Sequence, residues 1–264
     1  HNYEMYRGRR LIERLESIDN VEINDIKKIQ NDNFNYKAYE VLPLILDEID
    51  TSKLTYEQKI YFKNLKNWDY FAEVSNENQV VFNEWWNNLY KNIWDEFDSL
   101  KYPYRKPNSF RTYKLIKEDK NSKFYDIIST SKNESLNDLI NKSFLEITIK
   151  LDTFKKRNSL KKIKWDHYKN TTINHLLRIK SFSYDSVSIG GYRNILNAAS
   201  ERHGPSFRLI VKLKQNEKTK AWGVYPGGQS GNIGSQNYFG EVENWGKGVY
   251  NKLLFNSNYM DNRN

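Results

Sequence analysis

The sequence predicts an α+β chain, mainly helical over residues 1–180 and built of strands and loops over 181–264. Three observations lead there. Of 12 glycines only Gly8 precedes position 190, and glycine is costly inside helices but useful in turns. Apolar residues of the first region recur at spacings of three or four, the period of one helix face. In the second region they alternate, the period of a strand with one covered face.

Taken in order, a helix is expected after Asn35, burying Ala38, Leu42, Ile45 and Ile49. Pro43 should kink or break it, since proline lacks an N–H and crowds the preceding turn. Thr55 with Gln58 signals the start of a helix running to about Asn67. Phe82, Trp86, Leu89, Ile93, Phe97 and Leu100 line one helix face, with Asp95, Glu96 and Asp98 as its solvated side. Ser135 with Asp138 caps another helix, whose stripe is Leu136, Ile140, Phe144, Ile147, Leu151 and Phe154. These stripes read as core rather than as ligand pockets.

After Ser181, Phe207, Leu209, Val211 and Leu213 alternate with Arg208 and Lys212, which predicts a strand with the apolar set inside. Gln215 to Lys218 suits a turn, and Lys220 to Tyr225 returns as a second strand, making a β-hairpin. Pro226-Gly227-Gly228-Gln229-Ser230-Gly231 must then be a tight loop. A short amphipathic piece around Tyr238 to Tyr250 closes the chain, and no internal repeat is present.

Composition narrows the function. The chain has 264 residues, 42 Lys+Arg against 33 Asp+Glu, and a formal charge of +9. Charges of both signs interleave, so the excess reads as a solvated surface and not as a nucleic-acid footprint. The densest basic run, Lys155-Lys156-Arg157 with Lys161, Lys162 and Lys164, is expected just beyond a helix end, where cations complement the dipole. Aromatic residues make up 15% of the chain, enough to build a core on Trp, Tyr and Phe. No apolar run approaches the ~18 residues of a membrane span. The start, His1-Asn2-Tyr3-Glu4-Met5, is not a signal peptide, and a chain beginning with His reads as a processed or excised piece. Cysteine is absent, which removes disulfides, zinc-thiolate sites and thiol nucleophiles.

Chemical motifs are sparse. His1, His167, His175 and His203 form no metal-binding spacing, so no metal site is expected. Gly228-Gln229-Ser230-Gly231-Asn232 approaches a nucleophile elbow but has Asn where the last Gly belongs. His203 would have to act as base, yet in that hydrolase class the His follows the Ser in the chain. No phosphate-cradling glycine loop opens a helix.

The loop residues do carry a resemblance. His203-Gly204-Pro205-Ser206-Phe207-Arg208, then Gly223-Val224-Tyr225-Pro226-Gly227-Gly228-Gln229-Ser230-Gly231-Asn232, then Tyr238, Trp245, Gly248 and Tyr250 resemble the C-terminal end of the penicillin acylase (penicillin amidase) family. Upstream, Tyr6-Arg7-Gly8-Arg9-Arg10-Leu11 is similar to that family's Arg-rich helix start. Ile23, Asp25, Ile26, Ile29-Gln30, Asp32, Ala38 and Pro43 also fit, as do Leu65, Trp68-Asp69, Gly190-Gly191 and Asn197. The resemblance runs in order along nearly the whole chain.

It implies an N-terminal-nucleophile amidohydrolase of four-layer αββα fold that cleaves an acyl-amide small molecule. Its processed precursor exposes a Ser whose own α-amine acts as base. The nucleophile, the oxyanion Asn and a structural calcium's ligands would all precede His1, leaving no catalytic group and no cofactor in this chain. The chain would be the C-terminal part of the large subunit, inactive alone. Its partners would be the small subunit and the front of the large one, with no nucleic acid and no membrane span. Arg9, or Arg10 by a one-residue gap, would support the active site, while Gly227, Gly228, Gln229, Ser230 and Gly231 would shape the loop. The parent is expected to be periplasmic or extracellular. The hairpin at 206–225 would lack neighbours, and unpaired edges invite association. The alternative is a non-catalytic helical binding module that recognises a partner through the Gly-rich loop 226–235.

Overall fold

A computed structural model of the chain describes residues 5–254 except Pro103 and His203. His1 and His203 thus lie outside the described residues. In chain order the helices begin α1 (Tyr6–Glu16), α2 (Ile23–Gln30), α3 (Tyr36–Leu46), α4 (Tyr56–Lys66) and α5 (Glu77–Ile93). There follow α6 (Glu96–Ser99), α7 (Ser109–Glu118), α8 (Leu136–Arg157) and α9 (Trp165–Lys169). Strands β1 (Arg208–Lys212) and β2 (Lys220–Val224), helix α10 (Val242–Lys247) and strand β3 (Asn251–Leu253) complete the α+β chain. It forms two compact units, one comprising Asn35–Phe71 and Ser75–Lys164, the other Arg7–Phe34, Ala72–Val74 and Trp165 onward.

The first unit is helical, and its local signals are satisfied. Asn35 Oδ1 accepts the Ala38 N–H at 3.0 Å and so caps α3. The helix runs through Pro43 to Leu46 with Ala38, Leu42 and Ile45 buried, so proline does not interrupt it before its last turn. Thr55 and Gln58 exchange backbone and side-chain bonds at the start of α4. Ser135 and Asp138 do the same for α8. Each such box satisfies two of the N–H groups that a helix start leaves open. The centre is the α5–α8 pair, where Trp85 and Phe144 lie 4.8 Å apart between ring centroids. The Trp85 indole N–H donates to the Ile140 carbonyl at 3.2 Å, which settles the polar end of a fully buried ring.

Three sequence expectations need correction in this unit. The stripe from Phe82 to Leu100 is not one helix, because α5 stops at Ile93. Trp94 leaves helical geometry to donate its indole N–H to Thr112 Oγ1 at 3.0 Å. Leu100 is exposed as a result. Asp95 and Glu96 are half-buried and not freely solvated, and burial pushes the Glu96 carboxyl up. Finally, Lys155 to Arg157 form the last turn of α8 instead of following it.

The second unit contains a three-stranded antiparallel sheet in the order β1-β2-β3, with Arg208 opposite Val224 and Gly223 opposite Asn251. The hairpin turn has Asn216 at φ 61°, a left-handed position that Asn tolerates. One sheet face covers a core of Val187, Ile189, Ala199, Val242, Trp245 and Tyr250. Here the predicted facing of β1 is wrong. Arg208 and Ile210 point inward, whereas Phe207, Leu209, Val211 and Leu213 are 52%, 42%, 44% and 77% exposed. In a strand a one-residue shift moves every side chain to the other face. The inward choice is fixed by acceptors waiting for Arg208, described below. Strand β3, which no sequence signal announced, pairs the far edge of β2, so β1 and β3 are the edge strands, and α2 packs beside β1 with the Gln30 side chain on the Leu209 carbonyl.

Candidate functional site

The Arg-rich start of α1 turns Arg10 inward, where it is 8% exposed. Its Nε and Nη2 both donate to Asp32 Oδ2, at 3.1 and 2.8 Å, and Nη1 donates to Glu13 Oε1 at 3.0 Å. The guanidinium also lies 4.2 Å from the Phe34 ring centroid. Asp32 Oδ1 accepts the Phe34 N–H at 2.8 Å, so both carboxylate oxygens are engaged. This arrangement fastens α1 to the turn at 32–34. Arg9, half-buried, is engaged in a contact of its own.

The same turn receives the Gly190–Asn197 segment. The Asn197 N–H donates to the Asp32 carbonyl at 3.0 Å, and its side-chain amide donates to Asn33 Oδ1 at 2.9 Å. Asn33 Nδ2 in turn donates to Glu73 Oε2 at 3.0 Å. Arg208 closes the network from β1, donating from Nη2 to Asn197 Oδ1 at 2.7 Å and from Nη1 to the Trp245 carbonyl at 2.6 Å. Its Nε finds no partner among the described residues, and burial pushes this guanidinium's pKa down.

A second buried cation stands nearby. Lys169 Nζ donates to the carbonyls of Ile189, Gly190 and Ala199 at 2.9, 2.9 and 3.0 Å, with that of Gly191 at 3.3 Å. Burial drives its pKa down to about 7, while the charges of Asp166 and Glu201 pull the other way. Asp166 is itself held by the Ser188 hydroxyl at 2.7 Å. Sequence reading missed Lys169, Asp166, Asn33 and Glu73. Arg10, Asp32, Gly190, Gly191, Asn197 and Arg208 had a signal, as members of the motif set.

A cleft of about 630 Å³ borders this network, with Asn31, Asn33, Glu73, Gly190 and Asn197 in its wall. Its wall also carries the hydroxyls of Ser186 and Ser188, of which Ser188 donates to the Asp166 carboxylate at 2.7 Å and Ser186 to Asn170 Oδ1 at 2.8 Å.

The motif loop explains itself structurally. A Cβ on Gly228 would fall 1.8 Å from the Asn237 carbonyl oxygen, so only glycine fits that close backbone approach. Gly227 has φ 118°, and its carbonyl accepts the Glu241 N–H at 2.7 Å. The Ser230 hydroxyl accepts the Asn232 N–H at 3.1 Å, a local turn contact. Gln229 and Gly231 are exposed. The upstream motif folds onto Trp245, whose indole N–H donates to the Pro205 carbonyl at 2.7 Å. A Cβ on Gly204 would clash with that indole at 2.5 Å. His167 is exposed, and the His175 ring packs edge-on against Phe182 at 5.4 Å, so neither stands beside Ser230 in a bonded pair.

Among the described residues no cluster of His, Asp and Glu is placed to hold a metal ion, and no helix is long and apolar enough to cross a membrane.

The residues that converge on Trp245 and on the Gly228 turn are motif positions of hydrolases acting on acyl-amides. The chain belongs to the penicillin amidase family, whose family model matches residues 1–262. No curated protein matches it.

Proposed function

We propose that this chain is the C-terminal part of the large subunit of an N-terminal-nucleophile amidohydrolase, and that it serves as scaffold to a nucleophile carried upstream. Family membership supports the hydrolysis of acyl-amides. The division of labour rests on one observation: among the described residues Ser230, the hydroxyl of the family loop, is bonded only within its own turn.

In this mechanism the bond-breaking groups belong to an N-terminal Ser. Its α-amine has an ordinary pKa near 8, so a useful fraction is neutral at pH 7–8 and can accept the hydroxyl proton. The hydroxyl oxygen attacks the acyl carbon, an oxyanion forms and is held by N–H donors, and the amine leaves with a proton returned by the base. Each oxyanion donor is worth about 10²–10³ in rate. This chain contributes position. Arg10 holds the start of α1 on Asp32, and Arg9, its neighbour on that helix, is the arginine we assign to the active-site side. Arg208 and Lys169 fix the backbone against which the hairpin and the Gly227–Gly231 loop are built. We assign the parent to the periplasm or the extracellular space on the same family grounds.

The experiment is to compare the 264-residue chain with the product of the complete coding sequence on an N-acyl 4-nitroanilide. The chain alone is expected to release no nitroaniline. The complete product is expected to release it and to yield, by mass spectrometry, a large subunit beginning with Ser. Turnover by the purified chain alone overturns the proposal.

A further inference from the structure

The basic run at the end of α8 acquires neighbours in the fold. Helices α4 and α8 lie side by side and run in the same direction, since Gln58 donates to Thr148 Oγ1 at 3.1 Å and the Tyr61 hydroxyl to Asp152 Oδ1 at 2.8 Å. Their C-terminal turns therefore share one end of the first unit. Lys63 and Lys66 stand there on α4, Lys156 and Arg157 on α8, and Lys161, Lys162 and Lys164 just after it, all of them exposed. None of these is in an ion pair among the described residues, and the carboxylates of Glu77 and Asp152 face Lys155 instead, at 3.3 and 3.9 Å. Asp69, also exposed, accepts the Phe71 N–H at 3.1 Å. The helix ends do not account for the excess. Two macrodipoles amount to about one negative charge, and the last carbonyls of α8 already have donors. The N–H groups of Asn158, Ser159 and Leu160 bond to the carbonyls of Phe154, Lys156 and Lys155 at 3.2, 3.3 and 2.9 Å. Ser159, at φ 52°, turns the chain back, and the N–H of buried Ile163 donates to Glu77 Oε1 at 2.9 Å. The stretch 160–162 is thus held at both ends, and it presents Leu160, 42% exposed, among lysines.

We infer that this end of the first unit is an electrostatic docking surface for an anionic lipid bilayer. The surface is independent of the catalytic role proposed above. Three features select the occupant. All these cations but Arg157 are lysines, whose ammonium groups act as point charges on flexible stems, whereas arginine is the residue of bidentate phosphate readout. A cluster of about four to eight such residues matches a fluid sheet of headgroup charge. Residues 155–164 hold no aromatic side chain, so the stacking platform of a single-stranded nucleic-acid binder is missing from this stretch. Leu160 supplies what a purely polar polyanion does not use, an apolar side chain able to enter the headgroup layer while the lysine stems lie along it.

The test is co-sedimentation of the 264-residue chain, and of the product of the complete coding sequence, with vesicles of phosphatidylcholine alone or with one third phosphatidylglycerol. Both proteins are expected to bind the anionic vesicles, to ignore the neutral ones and to be released as salt rises. A basic residue near an anionic surface is worth about fivefold in affinity, so Lys156→Gln/Lys161→Gln/Lys162→Gln should weaken binding about a hundredfold while keeping its melting midpoint. Lys212→Gln/Lys214→Gln/Lys218→Gln removes the same charge from the hairpin and should weaken binding less than about fivefold, because charges beyond a Debye length are screened. The chain contains no cysteine, so Leu160→Cys accepts a single environment-sensitive fluorophore, whose emission should shift to the blue on anionic vesicles. The same label on Leu176→Cys, at a position 95% exposed in the second unit, should not shift. No binding to anionic vesicles, equal losses for the two triple variants, or a shift at position 176 without one at 160 overturns the inference. So does tighter binding to a DNA duplex than to the vesicles at equal phosphate concentration. Binding by the chain but not by the complete product also overturns it, since the upstream polypeptide would then cover this end.

Discussion

Helix α8 and strand β1 carry the same kind of sequence signal and meet opposite ends. The α8 stripe is buried from Leu136 through Ile140, Phe144 and Ile147 to Leu151, mainly against α5, and only its last member, Phe154, is exposed. The β1 stripe of Phe207, Leu209, Val211 and Leu213 faces outward, and its basic neighbour Arg208 is the buried one. Periodicity therefore identifies which residues share a face. Whether that face has a partner inside the chain is decided elsewhere. For α8 the partner is a second helix with a matching stripe. For β1 the inner face is claimed by Arg208, which finds two acceptors at Trp245 and Asn197. Burying an unpaired guanidinium is expensive, so those acceptors settle the facing of the strand.

The sharpest way to break this contrast is to truncate both stripes and compare unfolding. Phe144 is fully buried against Trp85, so Phe144→Ala removes a ring and leaves a cavity in the α5–α8 seam. Urea denaturation should show a loss of about 3–5 kcal/mol. A loss under ~1 kcal/mol would mean that the α8 stripe is as unpartnered as the β1 row.

Lys169 gives the next largest effect. Lys169→Met keeps the length of the side chain but leaves carbonyls of Ile189, Gly190 and Ala199 facing a methyl group, and should cost about 2–3 kcal/mol at neutral pH. The pH dependence adds an independent sign. With its pKa lowered to about 7 by burial, folded Lys169 sheds its proton as pH rises through 7. The unfolded chain keeps that proton to about pH 10.4, so the unfolded state binds more protons in between. Stability of the native chain should therefore rise relative to Lys169→Met between pH 7 and 10, with no difference in slope below pH 6. A gap that narrows with rising pH would show that the carbonyl cage holds the ammonium more tightly than water does.

These two sites also show where sequence reasoning reaches. Thr55 with Gln58 and Ser135 with Asp138 were legible because both partners lie three residues apart and the bonds need nothing else. The hairpin was legible because its turn chemistry is local. Lys169 was not, since its acceptors lie 20 to 30 residues away and a lone lysine carries no period. The break at Trp94 was hidden for a similar reason, as its partner Thr112 lies on another helix. Gly204 and Gly228 were recognisable as motif letters, but their cause appears only where the Trp245 ring and the Asn237 carbonyl crowd them. By sequence Arg9 was the better match and Arg10 the alternative, and the fold gives Arg10 to Asp32.

A smaller effect tests the local layer alone. Ser135→Ala deletes one half of the α8 capping box, leaving the Asp138 N–H without its acceptor at 3.2 Å. The expected cost is about 1 kcal/mol, read as a modest drop in urea midpoint. Because the box is exposed, water replaces part of the lost bond, which keeps the effect below that of either buried site.

The smallest effect belongs to the β1 row, and it is the one that separates the two stripes. Leu213 sits at the end of that row with 77% of its surface in solvent. If apolar character in a periodic row meant core, Leu213→Ala should cost as much as a substitution in α8. With so little of the side chain covered, folding removes little of it from water, and the cost should stay within about 0.5 kcal/mol. Urea unfolding of the isolated 264-residue chain measures this directly. A loss above ~2 kcal/mol would place Leu213 inside a packed interface of the chain itself.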